Sequence, residues 1–598
     1  MQADAIASLA DVQMIERAGQ QRWMPFTQVF DALADVARRH GDRPALTALA
    51  SAHDPQPRRW NYSQLLAEIG RSANLFRSLV DDGEPRVALL LPPLPDAWFA
   101  LWGAEAAGIA CPINPALSDD HLVGLLNATR VNLAVTLAAD HTAGEIGRRI
   151  QQLRARCPAL QAVVTVGGGT ADTVDFEAGR GQWDGSKLNF DAPSDAHRIA
   201  ALFHTGGTTG LPKLAQHTHA NQLNAAWGAA RFYDANPSDV ILNGFPLFHV
   251  AGALVYGLSM LLTGAEIVLP PPAGWRDAEF LANAWPSIRT HRVTMLAMVP
   301  TVMTSLLAAP RGSDDSGGVR LALSGGSPLP TELAARFEAE FSVPVRNILG
   351  MTECAGVIAI EPARAPRTPG SCGLRLPFSE VAVDATGVLR LRGANVGSGY
   401  TDPDRNAGSF DDGWLITGDI GHIDAQGRIF VTGRAKDVII RGAHNIDPGV
   451  IEEALMAHPQ VGIAAAVGEP DEYAGELPVA FVVAKPGASI DERELLDFAT
   501  PRIPERAAIP KRITIVTAVP LTAIGKIYKP ALRLQATERV LRERLHRAGL
   551  SEQVSVQGVD RGGLLFMRFM VSGDAAPASV RARLHELMSG FALTWEIE

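Results

Sequence analysis

The stretch Ile199-Ala-Ala-Leu-Phe203-His204-Thr-Gly-Gly-Thr-Thr-Gly-Leu-Pro-Lys213 decides the reading of this chain. Its first five residues form an apolar run of strand length. The rest is a loop of glycines and threonines that ends on a lysine. Glycine lets a backbone turn tightly and brings N–H groups close to an anion. Thr205, Thr208 and Thr209 add hydroxyl donors, and Lys213 adds a positive charge. A strand that runs into such a loop fits a phosphate cradle. Read alone, the same residues also fit an ordinary Gly/Thr surface turn. The loop is not of the GxxxxGK[ST] type, because Lys213 does not follow a glycine and Leu214 stands in the Ser/Thr position.

The flanking sequence sets the loop in an alternating pattern. Residues 28–40 and 63–80 carry apolar side chains at helical spacing. Arg86–Leu91 is a buried-strand pattern stopped by Pro92 and Pro93, and a helix over 96–107 follows. The strand-then-helix rhythm recurs at 131–136, 162–166, 199–203 and 293–299, which implies largely parallel sheets covered on both faces. Between 370 and 432, short strands (Glu380–Val383, Val388–Arg392, Arg428–Val431) alternate with Gly, Asp and Pro turns, as in a small antiparallel unit. Residues 447–536 resume a mixed pattern, with helices near 448–457 and 490–500 and strands near 461–467 and 478–484. A domain boundary is expected near Arg434–Asp437. The tail, 537–598, reads as a basic helix, strands at 554–559 and 564–571, a helix from Pro577 to about Gly590 and a strand at Leu593–Ile597.

At 598 residues the chain is too long for one hydrophobic core. A net charge of -10 argues against a general affinity for nucleic acid. Cys111, Cys157, Cys354 and Cys372 form no CxxC pair, so neither a structural zinc site nor a disulfide framework is suggested. Asp4, Asp11 and Glu16 leave the start without the basic-then-apolar order of a secretory signal. Val250–Thr263, the longest apolar stretch, is too short for a transmembrane segment. A cytoplasmic enzyme is the default expectation.

The loop resembles the signature loop of the adenylate-forming (AMP-binding) superfamily, which includes acyl-CoA synthetases, luciferases and peptide-synthetase adenylation domains. Six further motifs resemble those of the family, in its order, across roughly Asp31 to Leu532. Phe245-Pro-Leu-Phe-His249 resembles the motif at the carboxylate end of the acyl pocket. Ser324-Gly-Gly-Ser-Pro-Leu329 resembles the loop along adenine. Asn347-Ile-Leu-Gly-Met-Thr-Glu353 resembles the motif that stacks an aromatic on adenine and sets a Thr/Glu pair near the α-phosphate, but Leu349 replaces the usual tyrosine. Thr417-Gly-Asp419 resembles the ribose motif, and Gly433-Arg434-Ala-Lys436-Asp437 the interdomain hinge. Pro520-Leu-Thr-Ala-Ile-Gly-Lys526 resembles the loop of the catalytic lysine. Taken singly, each fits a blander role, such as a packed core histidine or a solvated turn.

The fold implied is α/β. Residues 1–435 would form a large N-terminal domain of two helix-covered sheets plus a small β subdomain at about 370–432. Residues 436–536 would form a smaller mobile α+β C-terminal domain, followed by a ββαβ-like extension over 537–598. The activity implied is that of an acid–thiol ligase, an AMP-forming acyl-CoA synthetase of the fatty-acid–CoA ligase branch, with ATP, Mg²⁺ and coenzyme A. Lys526, Glu353, Thr205 and His249 would be catalytic. The nucleotide would be held by Thr205, Gly206, Gly207, Thr208, Thr209, Gly210, Lys213, Gly325, Gly326, Ser327, Asn347, Leu349, Gly350, Met351, Thr352, Glu353, Asp419, Arg434 and Lys526. Glu353 would also bind Mg²⁺ with the ATP phosphates. His249, Val250, Ala251, Gly252 and Ser324 would line an acyl pocket for a carboxylic acid, expected to be a medium- or long-chain fatty acid or another bulky apolar acid.

Lys436 would be the hinge. Gly442, Ala443 and His444 would border the CoA channel, with Ala443 in the usual glycine position, so the channel is expected to differ in shape. Two alternatives stay open: a ligase that loads a carrier-protein phosphopantetheine, and a non-catalytic nucleotide or acyl-CoA sensor. The pattern Pro-x4-Gly-Lys at 520–526 also resembles a site of protein acetyltransferases, which would remove the Lys526 charge. The sequence does not specify an oligomeric state.

Overall fold

The computed structural model describes all residues except 1–4, 82, 142–143, 206–211, 312–315, 435–436, 442–443, 523–524, 562–563, 573–577, 589–590 and 592. Two sheets form the body. The first is seven-stranded, in the order Val174–Asp175, Ala162–Val166, Leu133–Leu137, Arg86–Leu90, Ile109–Pro112, Ile199–His204, Leu214–Thr218. Only its last pair is antiparallel. In the second, Val240–Asn243, Met295–Met298, Leu321–Gly325 and Val345–Leu349 run parallel. The strands read between 370 and 432 continue this same sheet in antiparallel order through Ser371–Arg375 and Ile429–Arg434.

One apolar core lies between the sheets. It holds Val87, Leu133 and Ala201 from the first and Ile267, Leu296 and Val345 from the second. Helix Pro95–Ala107 runs in this core and carries Trp98, Phe99 and Trp102, all fully buried. A helix buried all round needs no polar stripe, which explains its almost uniformly apolar sequence. The outer face of the first sheet is covered by Leu122, Ile146 and Ile150 from helices Asp119–Ala128 and Glu145–Leu153. Parallel strands leave their carboxyl ends on one edge, where ligands of open α/β sheets bind. His204, Met298, Gly325 and Leu349 all stand at or next to such ends.

A five-stranded sheet follows, with Val461–Asp471 and Gly475–Ala484 as its long hairpin. Helix Lys529–Arg547 is continuous across residues 536 and 537. Its Leu532 and Ala536 pack on Ala465, Val467 and Phe481 of that sheet. Its Leu541 and Leu545 pack on Val556, Met567 and Phe569 of the last, three-stranded sheet. Arg539–Glu469 and Arg544–Glu472 ion pairs, both at 2.7 Å, add to the joint. The tail is thus a β, β, α, β module fixed to the unit that carries Lys526.

Candidate active site

Strand Ile199–His204 and strand Leu214–Thr218 form a hairpin whose tip is the Gly/Thr loop. The Thr205 N–H donates to the Lys213 carbonyl at 2.8 Å and closes the base of that tip. Gly206, Gly207, Thr208, Thr209 and Gly210 lie outside the described residues, as do Lys436, Gly442 and Ala443. The Lys213 ammonium donates to Ser409 Oγ at 3.1 Å and lies 4.5 Å from the centre of the Tyr400 ring. The Tyr400 hydroxyl donates to Glu353 Oε1 at 2.5 Å. Glu353 is buried, and its carbonyl accepts from Gly397 N–H at 2.8 Å.

The chain around Glu353 is shaped by close backbone packing. A side chain at Gly350 would place its Cβ 1.8 Å from the Gly356 carbonyl oxygen, so only glycine fits. Thr352 opens a single 3₁₀ turn, and its carbonyl accepts from His217 Nε2 at 2.6 Å. Burial lowers His217 to about 4, so it is a neutral donor at physiological pH. Leu349 and Met351 pack partly buried against the apolar cluster of Cys354, Ile358 and Leu391. Asn347 does not face solvent freely: its side-chain amide donates to the Ser371 carbonyl at 3.2 Å.

Beside Gly326 stands Lys526. Its Nζ lies 3.6 Å from where a Cβ on Gly326 would sit, and Gly326 has φ +85°, so glycine serves both the turn and the approach of the lysine. The Thr301 hydroxyl donates to the Gly525 carbonyl at 2.9 Å and fixes the lysine loop to the body. Burial lowers Lys526 to about 8; the neighbouring Arg434 lowers it further and Asp419 opposes. Asp419 is buried and accepts from Arg434 Nε at 2.8 Å. Burial raises the Asp419 carboxyl above its usual value despite that partner.

His249 completes this side. Its Nδ1 accepts from the Ala251 N–H at 3.1 Å, which leaves the proton on Nε2. Burial lowers it to about 3, with Lys526 and His204 adding to the effect. His204, lowered to about 4 by burial, accepts from Asn114 N–H at 3.1 Å and stacks on Phe248. After His249 the chain forms a π-helix, Ala251–Leu258, a form found mostly at functional sites. Side chains also reach its carbonyls: Asn243 Nδ2 donates to Gly252 at 3.0 Å and Ser259 Oγ to Val255 at 2.6 Å. Val250 and Val255 face Gly356, and the Tyr256 hydroxyl lies near Gly325.

The predicted residues divide as follows. Thr205, Lys213 and Glu353 gather on one side; Gly326, Asp419, Arg434, His249 and Lys526 gather on the other. Ser324 is fully buried with its hydroxyl unpartnered among the described residues, and strand alternation turns it away from the face where Gly325 meets Tyr256. Ser327 is half-buried in the following turn. His444 is exposed and pairs with Glu505 in the C-terminal unit. Tyr400, Ser409, Thr301 and His217 were not singled out from sequence. Each is an ordinary polar residue with no local pattern, and only the fold brings it to the site.

This arrangement matches known proteins along nearly the whole chain. The pattern of the AMP-binding enzymes matches residues 33–401, and that of the AMP-binding enzyme C-terminal domain matches residues 450–526. The chain belongs to the AMP-binding enzyme family. Within that family it is similar to marinolic acid–CoA ligase of Pseudoalteromonas sp. (strain SANK 73390), 32% identical over 99% of this chain and 94% of that protein. That coverage takes in the C-terminal module. It is also similar to a long-chain-fatty-acid–CoA ligase of Bacillus subtilis, 29% identical over 86% of this chain and 96% of that one. The ATP-bound crystal structure of MatB from Rhodopseudomonas palustris superposes with a TM-score of 0.73, at 26% identity, over 84% of this chain and 98% of MatB. The AMP-binding fold therefore spans the region that contains both halves of the site. No described helix is long and apolar enough to cross a membrane.

Proposed function

We propose that this family member, an AMP-forming acid–CoA ligase, activates a medium- or long-chain fatty acid or another bulky apolar acid and transfers its acyl group to coenzyme A. The observation that carries the reading is Lys526, half-buried against Gly326 between His249 and the Asp419–Arg434 pair. A cation there faces the point where a carboxylate oxygen meets the α-phosphorus. The acid attacks phosphorus, a C–O–P anhydride forms, and the bond to pyrophosphate breaks. Lys526 offsets the repulsion between the two anions and stabilises charge at phosphorus. His249, fixed as the Nε2–H tautomer, donates to the carboxylate without taking its proton. Lys213 and the Gly/Thr loop hold the departing pyrophosphate, and Asp419 accepts from ribose hydroxyls. In the second step the thiol sulfur attacks the acyl carbonyl, and the C–O bond to AMP breaks.

Magnesium fits the donor set. Among the described residues no three His, Cys, Asp or Glu side chains form a metal cluster. Glu353 is a single hard carboxylate beside the phosphate loop, the way magnesium is commonly held together with nucleotide phosphates. When bound, the ion would neutralise charge on the triphosphate. The domain reading, with 1–435 as the body, 436–536 as the mobile unit and a turn about Lys436 between the steps, is part of this proposal.

The apolar acid rests on the π-helix. From Val250 to Thr263 the sequence carries no charged side chain. The names of two similar proteins, which specify marinolic acid and long-chain fatty acids, support an apolar acid. The test is release of pyrophosphate and AMP across a panel of acids, each with and without CoA. Turnover that needs both an apolar acid and CoA is expected. Acyl-AMP without CoA turnover would point to a carrier-protein acceptor, and no adenylation with any acid would point to a sensor.

A further inference from the structure

Lys213 and Glu353 come from different sheets, yet both meet Tyr400. The Tyr400 hydroxyl donates to Glu353 Oε1 at 2.5 Å. The Lys213 ammonium donates to Ser409 Oγ at 3.1 Å. The Tyr400 ring adds a second tie, since its face lies 4.5 Å from the Lys213 ammonium, within cation–π range.

Tyr400 is itself held from several directions. It is 4% exposed and meets Phe410 edge-on at 5.6 Å between ring centres. Its N–H donates to Asn406 Oδ1 at 2.8 Å, and its carbonyl accepts from Gln216 Nε2 at 3.1 Å. The segment around it lies against the free edge of strand Leu214–Thr218: Gln216 N–H donates to Gly399 at 2.9 Å, and Thr401 N–H to Leu214 at 3.0 Å. The edge of the first sheet is thereby tied to the turn that carries Glu353.

We propose that Tyr400 is a positioning residue for the triphosphate: its hydroxyl orients the Glu353 carboxylate while its ring face holds the Lys213 ammonium. One buried side chain thus sets the spacing between the cation for the pyrophosphate and the carboxylate for magnesium. By binding one Glu353 oxygen, the hydroxyl would leave the other free to hold magnesium with the nucleotide phosphates. This rests on reading the site as a magnesium–nucleotide site, and it is independent of which acid is activated.

Two variants separate the two ties. Tyr400→Phe keeps the ring and removes the hydroxyl. Tyr400→Leu removes both. Binding of ATP to the full-length protein is followed by calorimetry as Mg²⁺ is titrated, with no acid present, beside binding of pyrophosphate alone. Tyr400→Phe is expected to raise the half-saturating Mg²⁺ concentration five- to tenfold, with pyrophosphate affinity within twofold of wild type. Tyr400→Leu is expected to weaken pyrophosphate binding tenfold or more as well. A purely structural role would lower the melting temperature and the binding stoichiometry of both variants without moving the Mg²⁺ dependence. That result, or a Tyr400→Phe protein with the wild-type Mg²⁺ dependence, would overturn the proposal. Because no acid is needed, failure of the proposed substrate class would appear separately, as absent turnover in a wild-type protein that still binds Mg²⁺·ATP.

Discussion

The two sides of the site are built differently. The phosphate side is tied into the body: Lys213 and Glu353 meet one buried tyrosine, Tyr400, across two sheets. The lysine side is docked: Lys526 arrives on a loop of another unit, and Thr301–Gly525 is its direct hydrogen bond to the body beside it. The contrast suits a two-step reaction. In the proposed reaction the triphosphate would need a fixed frame, whereas the cation assisting the first step would leave before a thiol approaches.

Among substitutions outside Lys526, damage to the fixed side should cost most. Glu353→Gln removes the charge while keeping the Tyr400 contact, and adenylate formation should fall by about 10²–10³-fold, the usual scale for a lost electrostatic contact to a transition state. Pyrophosphate-exchange rates measure this; a loss below tenfold would remove Glu353 from the phosphate side.

The docked side should show itself through pH. Burial lowers Lys526 to about 8. The charged form dominates below that value, so kcat/KM for ATP should fall by about tenfold per pH unit above it. Lys526→Arg keeps its charge through this range and should flatten the basic limb, at a lower plateau. A wild-type profile flat to pH 10 would contradict the assignment.

Loosening the dock should do less. Thr301→Val removes one hydrogen bond worth about 1 kcal/mol, so adenylate formation should drop by about fivefold. Thioester formation from supplied acyl-AMP should not change. Equal losses in both steps would show that Thr301 supports the body and not the docked state.

Glu105 is remote from both sides and gives the smallest effect on activity. It is fully buried in helix Pro95–Ala107, accepts from Gln222 at 2.9 Å, and burial raises it to about 8. Its folded value lies above the unfolded one, so the stability it supports at low pH is lost as pH rises through about 8. Glu105→Gln cannot ionise. Its melting temperature should decline less than that of wild type between pH 5 and 9, by about 2–4 °C. Turnover at neutral pH should be unchanged. Parallel melting curves would refute a role for Glu105 in the pH response.

Several buried strands were legible because they announce themselves as short apolar runs: those read at 131–136, 162–166 and 199–203 are strands Leu133–Leu137, Ala162–Val166 and Ile199–His204. The family motifs named residues that the fold brings together near Tyr400 and near Lys526. The π-helix after His249 was not legible. Its apolar residues follow no period that separates π from α winding, and the form depends on carbonyl partners such as Asn243 and Ser259. Nor was the run of helix Lys529–Arg547 across both small sheets, since a helix with two apolar faces looks merely basic when its polar residues dominate the count. Tyr400 stood in a Gly- and Asp-rich stretch where a tyrosine signals only local packing.

The most direct test of the account separates the two partial reactions in Lys526→Ala. Pyrophosphate exchange with an accepted acid, and thioester formation from supplied acyl-AMP plus CoA, would be followed on the same preparation. The predicted result is exchange reduced by about 10³-fold or more, with thioester formation close to wild type. Exchange at the wild-type rate, or equal loss of both reactions, would contradict a docked lysine that serves the first step alone.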